Sequence, residues 1–591
     1  MKRGKEDSEW ANRVQRWFRK SVTEEGKPYV MDEEQVAAAI DESTNVIVAA
    51  RAGSGKTRTI VAKIVYLIVQ CGVKPQEIMT FVFNANAARE INERLSKICV
   101  DGMPIVEGRV RIASTFHAFA RKVVYDVCGG KEKSGEILVD KEQYLLEVIR
   151  RLMGEKRWQE KITWFIKGTV PGDKKRQKEE GERIEEAELV RFAKMMTQFV
   201  NRAQQKYLGG GVSLGGIASE YIRKNEVEGR ERVFVELGVE CFKRYHWYLL
   251  NASRGLEGFE KYGTDFNLIV SWASKLVEAE RGKVREWLAG KRYILIDEYQ
   301  DFSQLFLAAV VAIRGVAREA KLFVVGDDLQ AINRFAGSEV EYFKEFERYF
   351  VEDCRRLMVT TNYRCDRMVV DTARKFMRKA MGEKGEFRAK SRRMGKVVLV
   401  EPRETECERK LVDYDMRVSG KDEVFWRVAW RMVGRTPKFQ TVQYVKTLIE
   451  IIKQNRKAEG ILLLHRNNET NIEGVSLVRL MHGLRWGLGK LGVMSEEEYD
   501  LKVRVMTMHK SKGLEAEVVI IIEADEGVIP KTHPDTRLYA VFGETEDVAL
   551  EDQKRLFYVA MTRAKRRLYI IHDKAEGVGF VKYLGRIERL G

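Results

Sequence analysis

The chain has 591 residues, a net charge of +17 and 44% hydrophobic residues. This length supports several domains with sizeable cores, and the composition is ordinary for a globular protein. Seven scattered cysteines with no Cys-x-x-Cys pair argue against a zinc ribbon and against a disulfide framework, and they fit a reducing compartment.

The N-terminus does not resemble a targeting signal. Residues 1–7 lack an apolar core and include acids. Residues 8–30 predict an amphipathic helix followed by a linker. No window approaches the ~20 apolar residues that a membrane span needs. The predicted location is the cytoplasm, with nucleoid association if the source is prokaryotic.

A phosphate-binding turn is predicted after the first strand. Residues 46–48 are β-branched and apolar, as in a buried strand, and a helical pattern follows Thr57. Glycines in such a turn let backbone N–H groups point at a phosphate, and the helix N-terminus adds positive dipole. Lys56 is expected to reach the β- and γ-phosphates, and the Thr57 hydroxyl to hold Mg²⁺. The sequence therefore predicts a site for ATP and Mg²⁺, formed by Ala52, Gly53, Ser54, Gly55, Lys56 and Thr57. The alternative is a glycine-rich turn that only packs.

Two further side chains are candidates for contacts with the base. Gln35 lies in a predicted helix with acids in its first turn, and its amide suits both hydrogen-bonding edges of adenine. Arg58 directly follows Thr57, and its guanidinium could stack on a base. A solvated glutamine is the simpler interpretation of Gln35 taken alone.

Polar residues follow two later strands. Residues 77–83 and 110–113 predict strands, and Asn84, Thr115 and His117 come after them. Open parallel sheets bind ligands at the carboxyl ends of their strands, so these side chains are candidates for contacts with backbone phosphates. A helix cap or a satisfied loop residue is the alternative for each of them.

Residues 120–262 predict a helical domain inserted into the first sheet domain. Helical periodicity dominates there, interrupted by a charged run at 172–183 and by three glycines at 209–211. The aromatic residues between 242 and 248 favour the packed face of a helix over a binding platform. Sheet-like sequence resumes near residue 291.

An apolar strand ending in paired acids is predicted at residues 291–301. Asp297 can hold Mg²⁺, directly or through water, and Glu298 can polarise the water that attacks the γ-phosphate. Paired acids are common on surfaces, but these follow a buried run and complement the phosphate turn. The next apolar run leads to Gln330, placed to sense the γ-phosphate, and to Phe335, which could stack on a base for ~1–3 kcal/mol.

These motifs, in this order, resemble superfamily 1 helicases of the UvrD/Rep type, most closely the helicase IV branch. The matching stretches lie at residues 52–57, 114–119, 264–267, 296–301 and 325–332. The resemblance spans residues 31 to about 570. It implies an α/β fold of two RecA-like P-loop parallel-sheet domains, with an inserted helical domain and a reduced second insertion. It also implies ATP hydrolysis between these domains and 3′→5′ movement on single-stranded DNA.

The resemblance assigns residues in the second half as well. Tyr363 would stack on adenine, Glu515 would face the nucleotide, and Arg364 and Arg563 would reach the γ-phosphate from the opposite domain. Such arginines neutralise transition-state charge only when the cleft closes. The implied catalytic set is Lys56, Glu298, Gln330, Arg364 and Arg563. The implied DNA-binding set is Asn84, Thr115, Phe116, His117, Phe335, Arg466, Thr507 and His509.

The chain departs from the family pattern in several places. Asn86 stands where lysine is usual, and Phe335 replaces a tryptophan while keeping a stacking face. Only about 35 residues separate residues 468 and 503, where larger members carry a regulatory domain. The predicted domains are RecA-like domain 1 at 1–119 and 263–345, the helical insertion at 120–262, RecA-like domain 2 at 346–380 and 456–591, and the reduced insertion at 381–455.

The predicted function is that of an ATP-dependent DNA helicase or translocase. Beside a nucleotide site, the basic charge favours nucleic acid, here single-stranded and tailed duplex DNA, with no membrane partner. The alternative is an ATP-switched DNA-binding protein, or the motor subunit of a nuclease or repair complex with little unwinding of its own. About 28 residues follow Arg563, so we expect any nuclease to be a separate protein. RNA stays open as a substrate, because contacts to the 2′-OH cannot be read from sequence.

Overall fold

The computed structural model describes residues 31–100, 103–106, 110–128, 137–138, 140–168, 184–208, 213–251, 263–279, 282–383, 387–402, 421–531, 534–573, 577, 579–585 and 587–590. The helix predicted at 8–30 and the charged run at 172–183 lie outside these residues. The chain divides into two compact units. Unit 1 comprises Met1–Ala49, Lys56–Val359 and Pro534–Glu546, and unit 2 comprises Ala50–Gly55, Thr360–His533 and Asp547–Gly591.

Unit 1 is built on a six-stranded sheet. The strands of unit 1 are β1 (Asn45–Ala50), β2 (Ile78–Val82), β3 (Cys99–Val100), β4 (Met103–Pro104), β5 (Ala113–Thr115), β6 (Ile137–Leu138), β7 (Gly263–Thr264), β8 (Tyr293–Ile296), β9 (Lys321–Gly326) and β10 (Cys354–Val359). The pairs β3-β4 and β6-β7 form two small separate sheets. The order in the sheet is β10-β1-β9-β8-β2-β5, and β1 pairs in parallel with β9 so that Ile47 lies opposite Val324. All six residues of β1 are buried, as expected for a parallel strand covered on both faces.

The helices of unit 1 cover this sheet and extend into a helical region. They are α1 (Glu33–Ile40), α2 (Lys56–Val69), α3 (Ala85–Ser96), α4 (Phe116–Cys128), α5 (Lys141–Met153), α6 (Lys156–Lys167), α7 (Glu186–Tyr207), α8 (Leu214–Lys224), α9 (Gly229–Asn251), α10 (Phe266–Glu278), α11 (Gly282–Ala289), α12 (Gln304–Val316), α13 (Glu341–Lys344) and α14 (Phe346–Tyr349). Side chains of Asp32, Asn84, Asp265 and Ser303 accept backbone N–H bonds at the starts of α1, α3, α10 and α12. These caps fix where each helix begins.

Helices α5 to α9 share a second apolar core. Tyr245 and Tyr248 of α9 are buried in it, which confirms the predicted packed face, whereas Trp247 between them is 48% exposed. Tyr539 and Phe542 also belong to this core. They come from the segment Pro534–Glu546, which is far away in sequence but is part of unit 1.

Unit 2 contains the second six-stranded sheet. The strands of this unit are β11 (Thr361–Asn362), β12 (Arg388–Ala389), β13 (Lys396–Val400), β14 (Ile461–His465), β15 (Val503–Thr507), β16 (Ala516–Ile521), β17 (Ala564–Ile571) and β18 (Glu588–Leu590), and β11 and β12 form a small separate sheet. The helices of this unit are α15 (Arg367–Met381), α16 (Lys421–Val433), α17 (Phe439–Gln454), α18 (Leu477–Lys490), α19 (Glu496–Lys502) and α20 (Glu546–Met561). The sheet order is β15-β14-β16-β17-β13-β18, and all neighbouring strands are parallel. Phe425 of α16 packs into the core beneath this sheet.

The predicted fold class is confirmed, because the chain forms two six-stranded parallel sheets with helices. One local prediction differs from the structure, because the strand expected at 110–113 is Ala113–Thr115. The predicted domain limits stay a prediction. Among the described residues, no helix combines the length and apolarity that a membrane crossing requires.

Candidate functional site

The phosphate turn lies between β1 and α2, as the sequence predicts. Gly53 and Gly55 have φ angles of +70° and +85°, which glycine adopts without steric cost. Lys56 and Thr57 are the first two residues of α2, so both side chains start from the helix N-terminus. Ser54 is fully buried in the turn. The backbone therefore has the form that a phosphate cradle requires.

The turn segment Ala50–Gly55 belongs to unit 2 by its contacts. The Asn362 amide donates to the carbonyl of Ala52 at 2.7 Å, and the Tyr363 N–H donates to the carbonyl of Gly53 at 2.8 Å. A Cβ atom on Gly53 would stand 2.8 Å from the Asn362 amide nitrogen. A glycine is therefore needed at residue 53 both for its φ angle and for the close approach of Asn362.

The paired acids follow β8 directly. Lys56 Nζ lies 3.6 Å from Glu298 Oε2, which places the predicted phosphate-binding cation beside the predicted general base. Glu298 has a φ angle of +50°, an uncommon conformation outside glycine. Burial and the neighbouring Glu298 carboxylate raise the pKa of Asp297 above its ordinary value, although Lys56 opposes them. Two close carboxylates, one of them buried, favour a site that binds a cation.

Gln300 is a site residue that sequence reasoning missed. Its side chain is fully buried, its amide nitrogen donates to Glu298 Oε2, and its amide oxygen accepts from the Asp327 N–H at 2.9 Å. Asp327 in turn accepts from the Gln330 amide at 2.7 Å. These contacts connect the residues after β8 with the residues after β9. In the sequence, the indication of a role for Gln300 was that this polar side chain lies within an otherwise buried run.

Gln35 and Arg58, the candidates for base contacts, both lie in helices of unit 1. Gln35 is fully buried in α1, and its side-chain oxygen accepts from the Asp32 N–H at 3.2 Å in a capping box. Arg58 is half-buried in the first turn of α2. Their roles toward adenine stay predictions.

In unit 2, the predicted arginines are held by acids and carbonyls. Arg364 Nε donates to Glu515 Oε2 at 2.7 Å, and Lys565 Nζ lies 2.8 Å from the other Glu515 oxygen. Burial raises the pKa of Glu515, but Arg364 and Lys565 outweigh it, so the pKa lies below its ordinary value. Arg563 is 1% exposed and donates through Nε to the carbonyl of Val559 at 2.9 Å. Arg364 and Glu515 are thus brought together, whereas Arg563 is fixed to the end of α20.

The DNA-binding candidates of unit 1 divide into exposed and buried residues. Asn84 is exposed and caps α3, and the Thr115 hydroxyl accepts from the Ala118 N–H at 3.1 Å. Phe335 is 53% exposed. Phe116, by contrast, is 2% exposed and stacks on Phe81 with ring centroids 4.2 Å apart. Phe116 therefore presents no open face, and its contacts are those of a core residue.

Phe266 is an exposed aromatic residue that the sequence did not single out as a binding residue. It is the first residue of α10, it is 52% exposed, and its ring meets the His117 ring edge-on at 5.0 Å. Burial and Arg121 lower the pKa of His117, so its imidazole is neutral at pH 7. In the sequence, the only indication of a role for Phe266 was its position between Asp265 and Asn267, two polar residues of a matching stretch.

The DNA-binding candidates of unit 2 lie at the ends of two neighbouring strands. Thr507 is paired with His465 across β14 and β15, and Arg466 follows His465 directly. Burial, together with the charges of Arg466 and Lys512, lowers the pKa of His509 to about 4. Arg466, Thr507 and His509 therefore cluster at the carboxyl edge of this sheet, where ligands of parallel sheets bind.

The donor set fits Mg²⁺ and a nucleotide. The Thr57 hydroxyl and the carboxylates of Asp297 and Glu298 are hard oxygen ligands, which Mg²⁺ prefers. Mg²⁺ usually takes only one or two protein carboxylates beside phosphate oxygens.

Strand, glycine turn and helix, with lysine and threonine at the helix start, define the class of P-loop nucleotide-binding proteins. This protein falls in that class.

Comparison with known families gives a more specific assignment. The UvrD/REP helicase N-terminal domain matches residues 31–351, and the UvrD-like helicase C-terminal domain matches residues 438–575. The chain belongs to the UvrD/REP helicase family. The resemblance drawn from its motifs is therefore confirmed.

Individual relatives are similar over nearly the whole chain. DNA helicase IV of Escherichia coli is 24% identical over 571 residues, covering 94% of this chain and 70% of the relative. A probable DNA helicase of Mycoplasma pneumoniae is 22% identical, covering 93% of this chain and 84% of the relative. The putative ATP-dependent DNA helicase YjcD of Bacillus subtilis is 21% identical, covering 94% and 82%.

Proposed function

We propose that this protein is an ATP-dependent DNA helicase that moves 3′→5′ along single-stranded DNA. Membership of the UvrD/REP helicase family supports this proposal, as do the relatives named DNA helicases. The substrates would be ATP with Mg²⁺, and single-stranded or tailed duplex DNA. The observation that carries the proposal is the Lys56–Glu298 pair of 3.6 Å at a glycine turn, because it places a phosphate-binding cation next to a base that can activate water.

Each residue of the nucleotide site has a proposed task. Backbone N–H groups of the turn and Lys56 bind the phosphates, while Thr57 and Asp297 hold Mg²⁺, which neutralises charge on the phosphates. Glu298 orients the attacking water, and Gln300 holds the Glu298 carboxylate from behind. The raised pKa of Asp297 supports this arrangement, since a bound cation stabilises its ionised form.

Coupling to movement is proposed to come from unit 2. Arg364 and Arg563 would stabilise the transition-state charge on the γ-phosphate. Arg364 is bound to Glu515 at 2.7 Å, so its guanidinium has to exchange this carboxylate for a phosphate. Within unit 2, hydrogen bonds from Asn362 and Tyr363 hold the turn that ends just before Lys56. Binding and hydrolysis would then alternate the grip of the two units on DNA.

The grip on DNA is proposed to be independent of base sequence. Exposed Phe335 offers a stacking face, worth ~1–3 kcal/mol per base in comparable proteins. Asn84, Thr115, Arg466 and Thr507 would contact the phosphates. Stacking combined with phosphate contacts requires no particular base.

Strand displacement tests the proposal. A duplex with a 3′ single-stranded tail should be separated in the presence of ATP and Mg²⁺, whereas a duplex with a 5′ tail should not. Separation of the 5′-tailed duplex alone would contradict the proposed direction, and separation of neither would contradict helicase activity.

A lysine variant tests the nucleotide site. Lys56→Ala should lower the DNA-stimulated ATP turnover by at least ~100-fold, because the transferring phosphoryl group loses its cation. Binding of single-stranded DNA without nucleotide should stay within about twofold of wild type. Lys74→Ala is a matched control, because Lys74 lies outside the turn in the same unit, and its turnover should be unchanged. Full turnover by Lys56→Ala would contradict the assigned site.

A further inference from the structure

Gln205 lies near the end of α7, in the helical region, and its side chain is part of a buried polar network. It is 9% exposed. Its amide nitrogen donates to Asn267 Oδ1 at 2.7 Å, and its amide oxygen accepts from the Ser303 hydroxyl at 2.5 Å. Asn267 and Ser303 are buried as well. The Gln205 amide therefore donates to α10 and accepts from the residue that begins α12.

Ser303 connects Gln205 to the catalytic acids. It begins α12, where its hydroxyl oxygen accepts from the Phe306 N–H at 3.4 Å. It follows Glu298 by five residues, through a short helical turn at Tyr299–Asp301 in which all three residues are buried. A short buried segment therefore joins Ser303 to Glu298.

Asn267 connects Gln205 to an exposed aromatic ring. It directly follows Phe266, which is 52% exposed and meets the His117 ring at 5.0 Å. The Asn267 side chain also donates to the Gln204 amide oxygen at 3.0 Å. Gln204 and Gln205 of α7 therefore both bond to Asn267 at the start of α10, and these bonds fix the orientation of the neighbouring Phe266.

Gly337 connects Gln205 to the second exposed ring. A Cβ atom at Gly337 would overlap the Gln205 Cβ, and the φ angle of Gly337 is +92°. Gly337 ends the turn Arg334–Ala336, which carries Phe335. Lys206, the next residue of α7, forms an ion pair with Glu339 at 2.9 Å, two residues after Gly337. The Phe335 turn therefore rests directly on α7.

We propose that Gln205 is a positioning residue that couples DNA contact to ATP hydrolysis in unit 1. A single side chain touches the start of α12 after the catalytic acids, the start of α10 beside Phe266, and the turn that carries Phe335. A base that stacks on either ring moves a turn against Gln205, and the Ser303 bond transmits this shift toward Glu298. This inference rests on the proposed function, because it assumes that the protein hydrolyses ATP in response to DNA.

The test measures ATP turnover against the concentration of single-stranded DNA for Gln205→Leu, which keeps the side-chain size but removes the amide. We expect the turnover at saturating DNA to fall at least ~10-fold, while the turnover without DNA and the KM for ATP stay within about twofold. The matched control is Gln198→Leu, the same change at an exposed position of α7, which should leave every value unchanged.

A double-mutant cycle separates positioning from general stability. Ser303→Ala removes one of the two hydrogen bonds of the Gln205 amide, together with the cap bond from the Phe306 N–H, and should lower DNA stimulation about threefold. The variant with both Gln205→Leu and Ser303→Ala should match Gln205→Leu alone, because both changes break the same connection. If Gln205→Leu fails to fold, Ser303→Ala tests the proposal by itself through its threefold loss of DNA stimulation.

The outcomes distinguish this inference from the proposed function. A wild-type protein whose turnover does not respond to DNA would contradict the proposed function. A wild-type protein that responds, together with Gln205→Leu or Ser303→Ala variants that respond equally well, would overturn the role of Gln205. An equal loss of turnover with and without DNA would also overturn it, since this is the signature of a merely structural residue.

Discussion

Charged side chains of the candidate site neutralise one another within each unit. Lys56 lies beside Glu298 in unit 1, and Arg364 is bonded to Glu515 in unit 2. These pairs hold the side chains in place, while the partial exposure of Glu298 and Glu515 keeps their contribution to stability small. Under the proposed function, a phosphate would have to replace a carboxylate as the partner of Lys56 and of Arg364.

The lowered pKa of His509 predicts a dependence of stability on pH. Burial and the charges of Arg466 and Lys512 hold the folded-state pKa at about 4, below the ordinary value of about 6.5. Between these values the unfolded chain binds the extra proton, so stability falls as the pH drops from 7 toward 4. His509→Gln should remove about 2 kcal/mol of the loss between pH 7 and pH 5.

Thermal unfolding at the two pH values measures this effect. The difference in Tm between pH 7 and pH 5 should be smaller for His509→Gln than for wild type. His482→Gln is the control, because His482 lies in α18 of the same unit. An unchanged difference for His509→Gln would show that His509 titrates normally.

The exposed rings of Phe266 and Phe335 predict a loss of DNA affinity on truncation. Phe335→Ala and Phe266→Ala should each weaken binding of single-stranded DNA by ~1–3 kcal/mol, since each removes a stacking face. Fluorescence anisotropy with a labelled oligonucleotide measures this change. Trp247→Ala is the control, because Trp247 is similarly exposed, at 48%, but lies in the helical region. Equal weakening by Trp247→Ala would point to a non-specific effect.

At the scale of elements, the segment Pro534–Glu546 is the least expected feature. It interrupts the sequence between β16 and α20 but packs on α7 and α9. Phe542 meets Phe199 edge-on at 4.8 Å, and the Arg202 guanidinium lies 4.1 Å from the centre of the Tyr539 ring. Arg202 is also paired with Glu544. Aromatic packing and a mostly buried ion pair together anchor this segment.

Loss of the buried ion pair should detach the segment. Glu544→Ala leaves the Arg202 charge, which is 5% exposed, without its carboxylate, and we expect a cost of about 3 kcal/mol. Trypsin should then cleave near Arg537 several times faster than in wild type. The control is Glu546→Ala, which removes the partner of Arg537 in a pair with exposures of 77% and 55%, and which should cost less than about 1 kcal/mol. Equal cleavage of Glu544→Ala and wild type would contradict this anchoring.

At the scale of the whole molecule, the predicted sites draw on both units. Lys56, Glu298 and Gln330 belong to unit 1, while Arg364, Glu515 and Arg563 belong to unit 2. Neither unit contains the complete predicted catalytic set.

The net charge of +17 predicts that DNA binding depends strongly on salt. Each phosphate contact on a single strand contributes about −0.7 to the slope of log affinity against log salt concentration. We expect a slope of about −3 or steeper, and Arg466→Ala should make it shallower by about 0.7. The control is Arg435→Ala, whose side chain is 71% exposed and outside the predicted set. A slope near zero for the wild type would contradict phosphate binding.

The local sequence determined much of the fold and part of the site. Apolar runs predicted β1, β2 and β8, and the pattern of small residues before Lys56 predicted the glycine turn, because periodicity and backbone preference act over a few residues. The tertiary structure decided which side chains meet. It buried Phe116 in the core, exposed Phe266 and placed Gln205 against Ser303, which is 98 residues away. It also joined Arg202 to Glu544 across 342 residues. Such contacts depend on how complete elements pack, and no local pattern encodes the distance between two of them.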